Sequence, residues 1–246
     1  MSDSKLAKFH YWTNNYSSRN GQKISKIIIH HMAGNLTGKQ CYNVWRTREA
    51  SAHYAIDKSG NITQLVHESY RAWSVANRYQ DSRSVTIECA NSTGSPSWKI
   101  SSATMKSLIK LVADIAYRNN FKKITYTGTT SGTLMMHCWF MSTACPGPYL
   151  KSKFSYIARE ADKLLQQKRK DTSTSSSTSS SSTSSKNYKV KVTTDALNVR
   201  KGPGTNYAVT DCIRDRGVYT IVDKKGDWGK LKSGEGWICL DYTKRV

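Results

Sequence analysis

The sequence predicts an α/β module, with a mixed central β-sheet flanked by helices, followed by a small all-β barrel. Three observations support this prediction. Apolar strand patterns and helical patterns alternate through residues 1–170. Fourteen consecutive Ser and Thr residues then occupy positions 172–185. Short strand patterns, separated by glycine-rich turns, fill residues 187–246.

The strand patterns of the first module are short and apolar. Residues 26–31 include three consecutive isoleucines, and residues 85–90 form a second apolar run. Strands at 53–57 and 62–66 flank a turn sequence, Asp-Lys-Ser-Gly, which predicts a hairpin. The sheet of the first module is therefore expected to contain these four segments.

Three segments have the periodicity of helices. The first covers residues 38–48. The second has a serine N-cap at 101 or 102, an apolar face from Met105 to Ala116 and an end at Asn119-Asn120. The third has its apolar face from Phe154 to Leu165 and closes the module.

Residues 171–186 are predicted to form a flexible linker between domains at 1–170 and 187–246. Serine and threonine bury too little apolar surface to offset the entropy lost on ordering.

The chain has 38 basic and 17 acidic residues, a formal net charge of +21. Residues 1–170 contribute +16 of it and residues 187–246 contribute +5. Such an excess predicts a polyanionic partner. No helix-turn-helix, zinc-finger or ribonucleoprotein motif accompanies the charge, so we expect no nucleic-acid partner.

The longest apolar runs are far below the roughly 18 residues of a membrane span, and the first 25 residues lack the apolar run of a secretory signal. We therefore expect a chain made in the cytoplasm, with no membrane span. Thiols stay reduced there, so the six cysteines are expected to be buried thiols or metal ligands rather than disulfides.

His30, His137 and Cys145 are of the types that bind catalytic zinc. Two imidazoles and a thiolate leave the fourth position of a tetrahedral zinc ion open for water. However, 107 residues separate the two histidines, so the spacing alone leaves an alternative open. Each histidine could be a hydrogen-bonded structural side chain, and Cys145 a buried thiol.

Four motifs occur in a characteristic order: Ile-Ile-Ile-His-His at 27–31, Ser-Ala-His-Tyr at 51–54, Val-Thr-Ile-Glu at 85–88, and His137-x7-Cys145-Pro-Gly. Over residues 20–168 the sequence thereby resembles the zinc-dependent N-acetylmuramoyl-L-alanine amidases of the phage lysozyme and peptidoglycan-recognition-protein superfamily. The resemblance implies peptidoglycan as substrate and Zn²⁺ as cofactor, with His30, His137 and Cys145 as ligands. It also implies that Glu88 is the catalytic acid–base residue.

Two positions depart from the family pattern. Many members carry a lysine two residues before the third ligand, where this chain has Thr143, and many carry a histidine at the position of Ser74. Thr143 can stabilise an oxyanion only through a neutral hydrogen bond. We take Thr143 and His53 as candidates for an oxyanion or cleft role, with a structural role as the alternative for His53.

Residues 187–246 resemble the bacterial SH3 domains that bind cell walls. The resemblance lies in Ala-Leu-Asn-Val-Arg-Lys-Gly-Pro-Gly at 196–204, Gly-Asp-Trp-Gly-Lys at 226–230 and Gly-Trp-Ile at 236–238. That family binds peptidoglycan peptides through aromatic groove residues. The candidates are Tyr207, Trp228, Trp237 and Tyr242, each of which could instead belong to the core.

Together the two resemblances imply a phage or prophage endolysin that cleaves the amide between N-acetylmuramic acid and L-alanine in a Gram-positive wall. Such a protein leaves the host cytoplasm by a holin-type route, and anionic wall polymers would then be the partner that the charge predicts. The alternatives are a bacterial autolysin with the same chemistry and a non-catalytic peptidoglycan-binding protein.

Overall fold

The computed structural model describes residues 3–177, 187–205 and 207–246. The chain divides into two compact units, Met1–Ser176 and Ser177–Val246. The α-helices described in the first unit are α1 (Gly38–Trp45), α2 (Arg78–Ser82), α3 (Ser102–Arg118) and α4 (Gly147–Ser177). Its strands are β1 (Phe9–His10), β2 (Tyr16–Ser18), β3 (Lys26–His31), β4 (Tyr54–Ile56), β5 (Ile62–Gln64), β6 (Tyr70–Ala72), β7 (Ser84–Cys89) and β8 (Leu134–Met136).

The first unit is built on a six-stranded mixed sheet in the order β1-β5-β4-β7-β3-β8. Strands β4, β7, β3 and β8 run parallel, whereas β5 pairs antiparallel with β4 and completes the predicted hairpin. Strands β2 and β6 form a separate antiparallel ribbon. The predicted mixed sheet flanked by helices is thus confirmed.

Strand β3 is buried along its whole length because the sheet is covered on both faces. Ile27 and Ile29 belong to the large core that also contains the apolar faces of α3 and α4. Ile28, which points the other way, packs with Met135 and Val75. A strand that is covered on both faces has apolar residues at consecutive positions, which explains the three isoleucines.

The helix boundaries agree with the sequence at α3 and differ at α1 and α4. The Ser101 hydroxyl accepts from the Thr104 backbone N–H at 2.9 Å, which makes Ser101 the N-cap of α3. Helix α1 ends at Trp45, and α4 begins at Gly147, before the apolar face that predicted it.

Helix α4 also continues past residue 170 to Ser177, so the first part of the Ser/Thr run is helical. One reason is a tertiary contact: the Thr172 and Tyr117 hydroxyls are 2.9 Å apart. Residues 171–177 of the predicted linker are thus helical. Residues 178–186 lie outside the described residues, and the linker and its bounds stay a prediction.

The second unit is all-β apart from one 3₁₀ turn in its described residues. Its strands are β9 (Tyr188–Val192), β10 (Leu197–Arg200), β11 (Val209–Ile213), β12 (Val218–Lys225), β13 (Trp228–Leu231), β14 (Trp237–Cys239) and β15 (Thr243–Arg245), in the order β11-β10-β14-β13-β12-β9-β15. All neighbouring pairs are antiparallel, and inward-facing aliphatic side chains form a separate core. The all-β prediction is confirmed.

In the described part of the chain, no helix is both long and apolar enough to cross a membrane. All six cysteines are free thiols.

Candidate functional site

Three adjacent parallel strands bring the predicted site residues together. His30 lies near the end of β3 and is paired in register with Glu88 on β7. His137 directly follows β8, whose last residue, Met136, is paired with Ile29 of β3. Because parallel strands end at the same edge of a sheet, residues distant in sequence meet at the carboxyl edge, where α/β proteins usually bind ligands.

His30, His137 and Cys145 form a compact cluster at this edge. The Nδ1 atom of His30 lies 3.1 Å from Nδ1 of His137 and 3.7 Å from Sγ of Cys145. One donor atom from each of the three residues lies within 4.8 Å of the others. His30 and Cys145 are buried, and His137 is partly exposed.

Backbone contacts hold Cys145 in place. Its carbonyl accepts from the Cys138 N–H at 3.1 Å, and its own N–H donates to the Thr143 hydroxyl at 3.2 Å. The sulfur lies 3.5 Å from the N–H of His31. Two residues later Gly147 has φ +81°, and a Cβ there would lie 3.1 Å from the His31 ring, so the motif needs glycine at this position.

Burial sets the protonation of the cluster. It lowers the pKa of His30 and of His137, which keeps both imidazoles neutral. It raises the pKa of the Cys145 thiol, and the nearby Glu88 charge raises it further. Burial also raises the pKa of Glu88 to about 7, and the positive charge of Arg48 opposes this shift. Oε1 of Glu88 lies 3.9 Å from Nδ1 of His30.

The cluster fits a zinc ion in both chemistry and spacing. Zinc–nitrogen bonds of about 2.0–2.1 Å and zinc–sulfur bonds of about 2.3 Å at tetrahedral angles place two nitrogens about 3.4 Å apart and nitrogen about 3.6 Å from sulfur. The observed separations from His30 Nδ1 are 3.1 Å to His137 and 3.7 Å to Cys145. A bound cation would also favour the thiolate that burial opposes.

Three polar atoms of the cluster residues and of Glu88 are unpaired. Nε2 of His30, Nε2 of His137 and Oε2 of Glu88 are buried and have no hydrogen-bond partner in the described structure. Buried polar atoms are usually paired, and clusters of exceptions often mark functional sites.

The cluster opens into a cleft of about 380 Å³. The cleft walls include His31, Met32, Leu36, Trp45, Trp98 and Ala144 besides Glu88, Thr143 and Cys145.

A second cavity of about 420 Å³ shares Arg48 and His137 with the cleft. The second cavity adds three side chains of note: Arg71, Trp73 and Arg78. Sequence analysis did not find Arg48, Arg71 or Trp98, because none of them lies in a motif of fixed spacing.

Thr143 lies in the cleft wall beside Cys145. Its oxygen accepts from the Cys145 N–H, which leaves its own O–H proton free to donate.

His53 is not among the residues that line the cleft or the second cavity. The side chain is completely buried, and Nε2 lies 2.8 Å from a guanidinium nitrogen of Arg19. Nδ1 lies 3.0 Å from the Thr86 hydroxyl. The pKa of His53 is lowered to about 3, because burial and the Arg19 charge disfavour a second cation. These contacts favour the structural alternative for His53.

The four aromatic candidates of the second unit differ in exposure. Tyr207 and Tyr242 are 43% and 53% exposed, and Trp228 is half-buried. Trp237 is only 8% exposed and lies in β14 beneath the Lys225 ammonium. This burial favours the core alternative for Trp237 over a groove role.

Comparison with known proteins identifies the family of the first unit. The family model described as N-acetylmuramoyl-L-alanine amidase matches residues 20–148, just over half of the chain. The matched segment contains His30, Glu88, His137 and Cys145. N-acetylmuramoyl-L-alanine amidase A of Achromobacter lyticus is 39% identical over 66 residues, which cover 26% of this chain and 37% of that protein.

The putative N-acetylmuramoyl-L-alanine amidase YrvJ of Bacillus subtilis is 36% identical over 50 residues, which cover 19% of this chain and 10% of that protein. The chain thus spans little more than a third of one curated relative and a tenth of the other. Among solved structures, Staphylococcus aureus hydrolase AmiA in complex with its ligand matches with a TM-score of 0.49 and 19% identity, covering 67% of this chain and 83% of that one. The match of the family model over residues 20–148 shows that this chain belongs to the N-acetylmuramoyl-L-alanine amidase family.

Proposed function

We propose that the chain is a zinc-dependent amidase that hydrolyses the amide between the lactyl group of N-acetylmuramic acid and L-alanine in peptidoglycan. The observation that carries the proposal is the cluster of His30, His137 and Cys145 with Glu88 beside it, at the sheet edge of a cleft. This cluster lies within the segment that the amidase family model matches.

His30, His137 and Cys145 would hold the zinc ion, which supplies Lewis acidity to activate water and polarise the scissile carbonyl when it is bound. Glu88 is the proton carrier. Its pKa of about 7 suits a group that accepts a proton from the attacking water and returns it near neutral pH. The proton goes to the nitrogen of L-alanine as the carbon–nitrogen bond breaks. The oxygen of the water becomes part of the lactyl carboxylate, and its proton becomes part of the free amine.

We propose that Thr143 stabilises the oxyanion. Its free O–H proton can donate to the carbonyl oxygen as negative charge develops there, which is the function of an oxyanion donor. A neutral hydroxyl stabilises that charge less than an ammonium group would.

For the second unit we propose a bacterial SH3 domain that holds the enzyme on the wall. The all-β architecture supports this assignment, as do the exposed rings of Tyr207 and Tyr242. The net charge of +21 supports an additional attraction to anionic wall polymers. An endolysin that reaches a Gram-positive wall from the host cytoplasm is the setting we propose for this pairing of functions.

The test is mass analysis of the soluble fragments that the full chain releases from purified peptidoglycan. We expect stem peptides that begin with L-alanine, together with intact glycan, and release by the Glu88→Gln chain that is slower by about 10²-fold or more. New reducing sugar ends would instead identify a glycosidase, and release that persists undiminished after zinc is removed by a chelator would contradict the metal centre.

The role of the second unit is tested by comparing the full chain with residues 1–177. Cleavage of a small soluble muramyl peptide should be similar for both, whereas wall lysis should fall for the shorter chain because tethering raises the local enzyme concentration. The comparison should be repeated at high salt, which screens the attraction of the first unit's own charge to the wall.

A further inference from the structure

Five aromatic side chains form a continuous row on the surface of the first unit, apart from the cleft residues. In order along the row they are His10, Trp12, His67, Tyr70 and Tyr16. Consecutive ring centroids are separated by 5.5, 3.8, 6.5 and 4.5 Å. The Trp12 and His67 rings are stacked. We call this set the aromatic row.

The aromatic row is exposed and held in place. All five side chains are exposed, with Trp12 at 44% and Tyr16 and Tyr70 at 40% each. Nδ1 of His67 is 2.6 Å from a carboxylate oxygen of Asp3, which fixes the imidazole against Trp12. Tyr16 and Tyr70 lie on the paired strands β2 and β6. Rings that are both exposed and prealigned lose little conformational entropy when a ligand packs on them.

The composition of the row points to a sugar ligand. Contiguous exposed aromatic surface commonly marks an interaction site. A sugar ring offers an apolar C–H face that stacks on an aromatic ring, and hydroxyls at its rim that bond to phenol and imidazole groups. The row contains both kinds of partner and extends over several rings, so it matches a chain of sugars better than a single small molecule.

Strand β6 links the aromatic row to the second cavity. Side chains alternate along a strand, so Tyr70 lies on one face of the β2–β6 ribbon and Arg71 and Trp73 on the other. Arg71 and Trp73 line the second cavity, which reaches His137. The Ser17 hydroxyl of β2 accepts from both of them, at 3.0 and 2.7 Å. One small ribbon therefore carries part of the wall of the second cavity and part of the aromatic row.

We propose that the aromatic row binds the glycan strand of peptidoglycan and so guides a polymeric substrate towards the cleft. This proposal rests on the proposed function, since it takes the occupant to be the sugar backbone of the same polymer. The surface contributes binding rather than chemistry, because none of its five side chains belongs to the zinc cluster.

The test uses glycan strands stripped of stem peptides and the full chain labelled with 5-fluorotryptophan. The chain has seven tryptophans, and Trp12→Phe identifies the fluorine signal of Trp12. We expect this signal to shift saturably as glycan is added. Free stem peptides should not move it, and a shift caused by those peptides instead of glycan overturns the proposal.

The matched pair of variants is Tyr70→Ala in the row and Tyr156→Ala on α4, since both tyrosines are similarly exposed, at 40% and 42%. Loss of one stacking ring should weaken glycan binding by about tenfold in Tyr70→Ala, while Tyr156→Ala should bind like the unmodified chain. If melting shows that Tyr70→Ala is destabilised, Tyr16→Ala replaces it. Equal glycan affinity of the row variant and the unmodified chain overturns the proposal.

Stripped glycan contains no scissile amide, so this result does not depend on hydrolysis. Glycan binding with no cleavage of muramyl peptides would contradict the amidase proposal alone, and cleavage with no shift of the Trp12 signal would contradict the aromatic row alone.

Discussion

Two buried histidine clusters lie in the first unit, and they differ in how far their polar atoms are paired. His53 is completely buried, and both of its ring nitrogens have partners. Arg19, which contacts it, donates to the backbone carbonyls of Glu68, Ser82 and Ser84 at 2.6–2.9 Å. His30 is equally buried, yet its Nε2 has no partner among the described residues, and neither has Nε2 of His137.

This difference in hydrogen bonding distinguishes a cluster that stabilises the fold from a cluster that is available to bind a ligand. In the Arg19–His53 cluster the paired guanidinium and imidazole nitrogens add to the stability of the folded chain, because leaving one of them unpaired would cost about 1–3 kcal/mol. In the other cluster, His30 Nδ1, His137 Nδ1 and Cys145 Sγ lie close together, at 3.1 and 3.7 Å from His30, and each residue offers one ligand atom to a cation. The convergence of these donor atoms, rather than burial or residue type, distinguishes the two clusters.

The largest expected effect is on turnover, in Glu88→Gln. The amide is nearly isosteric with the carboxylate but cannot accept a proton, so kcat on a soluble muramyl peptide should fall about 10²–10⁴-fold. Zinc content and melting temperature should stay near those of the unmodified chain. A variant that keeps a third of the original kcat would show that Glu88 is not the proton carrier.

Zinc affinity should respond most to Cys145→Ser. Loss of outer-shell partners alone costs about 10–100-fold in metal affinity, and replacing a ligating thiolate by a neutral hydroxyl should cost more than that. Competition with a chromophoric chelator measures the change, and Cys41→Ser serves as the control because Cys41 lies in the same cleft outside the cluster. Unchanged zinc affinity in Cys145→Ser would remove Cys145 from the ligand set.

Substitution in the Arg19–His53 cluster should have the opposite result: the free energy of unfolding should fall, and zinc affinity should not change. Arg19→Met leaves several buried carbonyls without donors, so the free energy of unfolding should fall by roughly 3–5 kcal/mol. Arg46→Met, at an exposed arginine, should change it by less than about 0.5 kcal/mol. Urea unfolding measures both, and similar stability of the two variants would contradict the contrast between the clusters.

The smallest expected effect per measurement step is the change of stability with pH that His53 causes. Its folded-state pKa of about 3 lies below the unfolded value of about 6.5, so the unfolded chain takes up a proton first as the pH falls. The stability that neutral His53 contributes is complete above pH 6.5 and is lost progressively towards pH 3. His53→Gln should therefore make the stability curve between pH 6.5 and 4 shallower, by at most about 1.4 kcal/mol per pH unit. Urea unfolding in the presence of a chelator measures the stability of each chain at each pH. If stability depends on pH equally in His53→Gln and in the unmodified chain, the prediction is wrong.

The sequence by itself determined the longer elements of the first unit and the residue types of the His30–His137–Cys145 cluster. Three consecutive isoleucines predict β3 because a strand covered on both faces needs apolar side chains at every position. The N-cap and apolar face of α3 lie within one segment, and His30, His137 and Cys145 are identifiable from residue type and motif. All of this information is local, and local patterns are what a sequence displays directly.

Only the tertiary structure decided which buried polar side chains have partners and which surface rings meet. His53 is paired with Arg19, 34 residues earlier, and Tyr16 meets Tyr70 in the aromatic row because β2 pairs with β6. Helix α4 extends into the Ser/Thr run, where Thr172 contacts Tyr117. Each outcome depends on contacts between segments far apart in the chain, and neither composition nor periodicity specifies the register in which such segments meet.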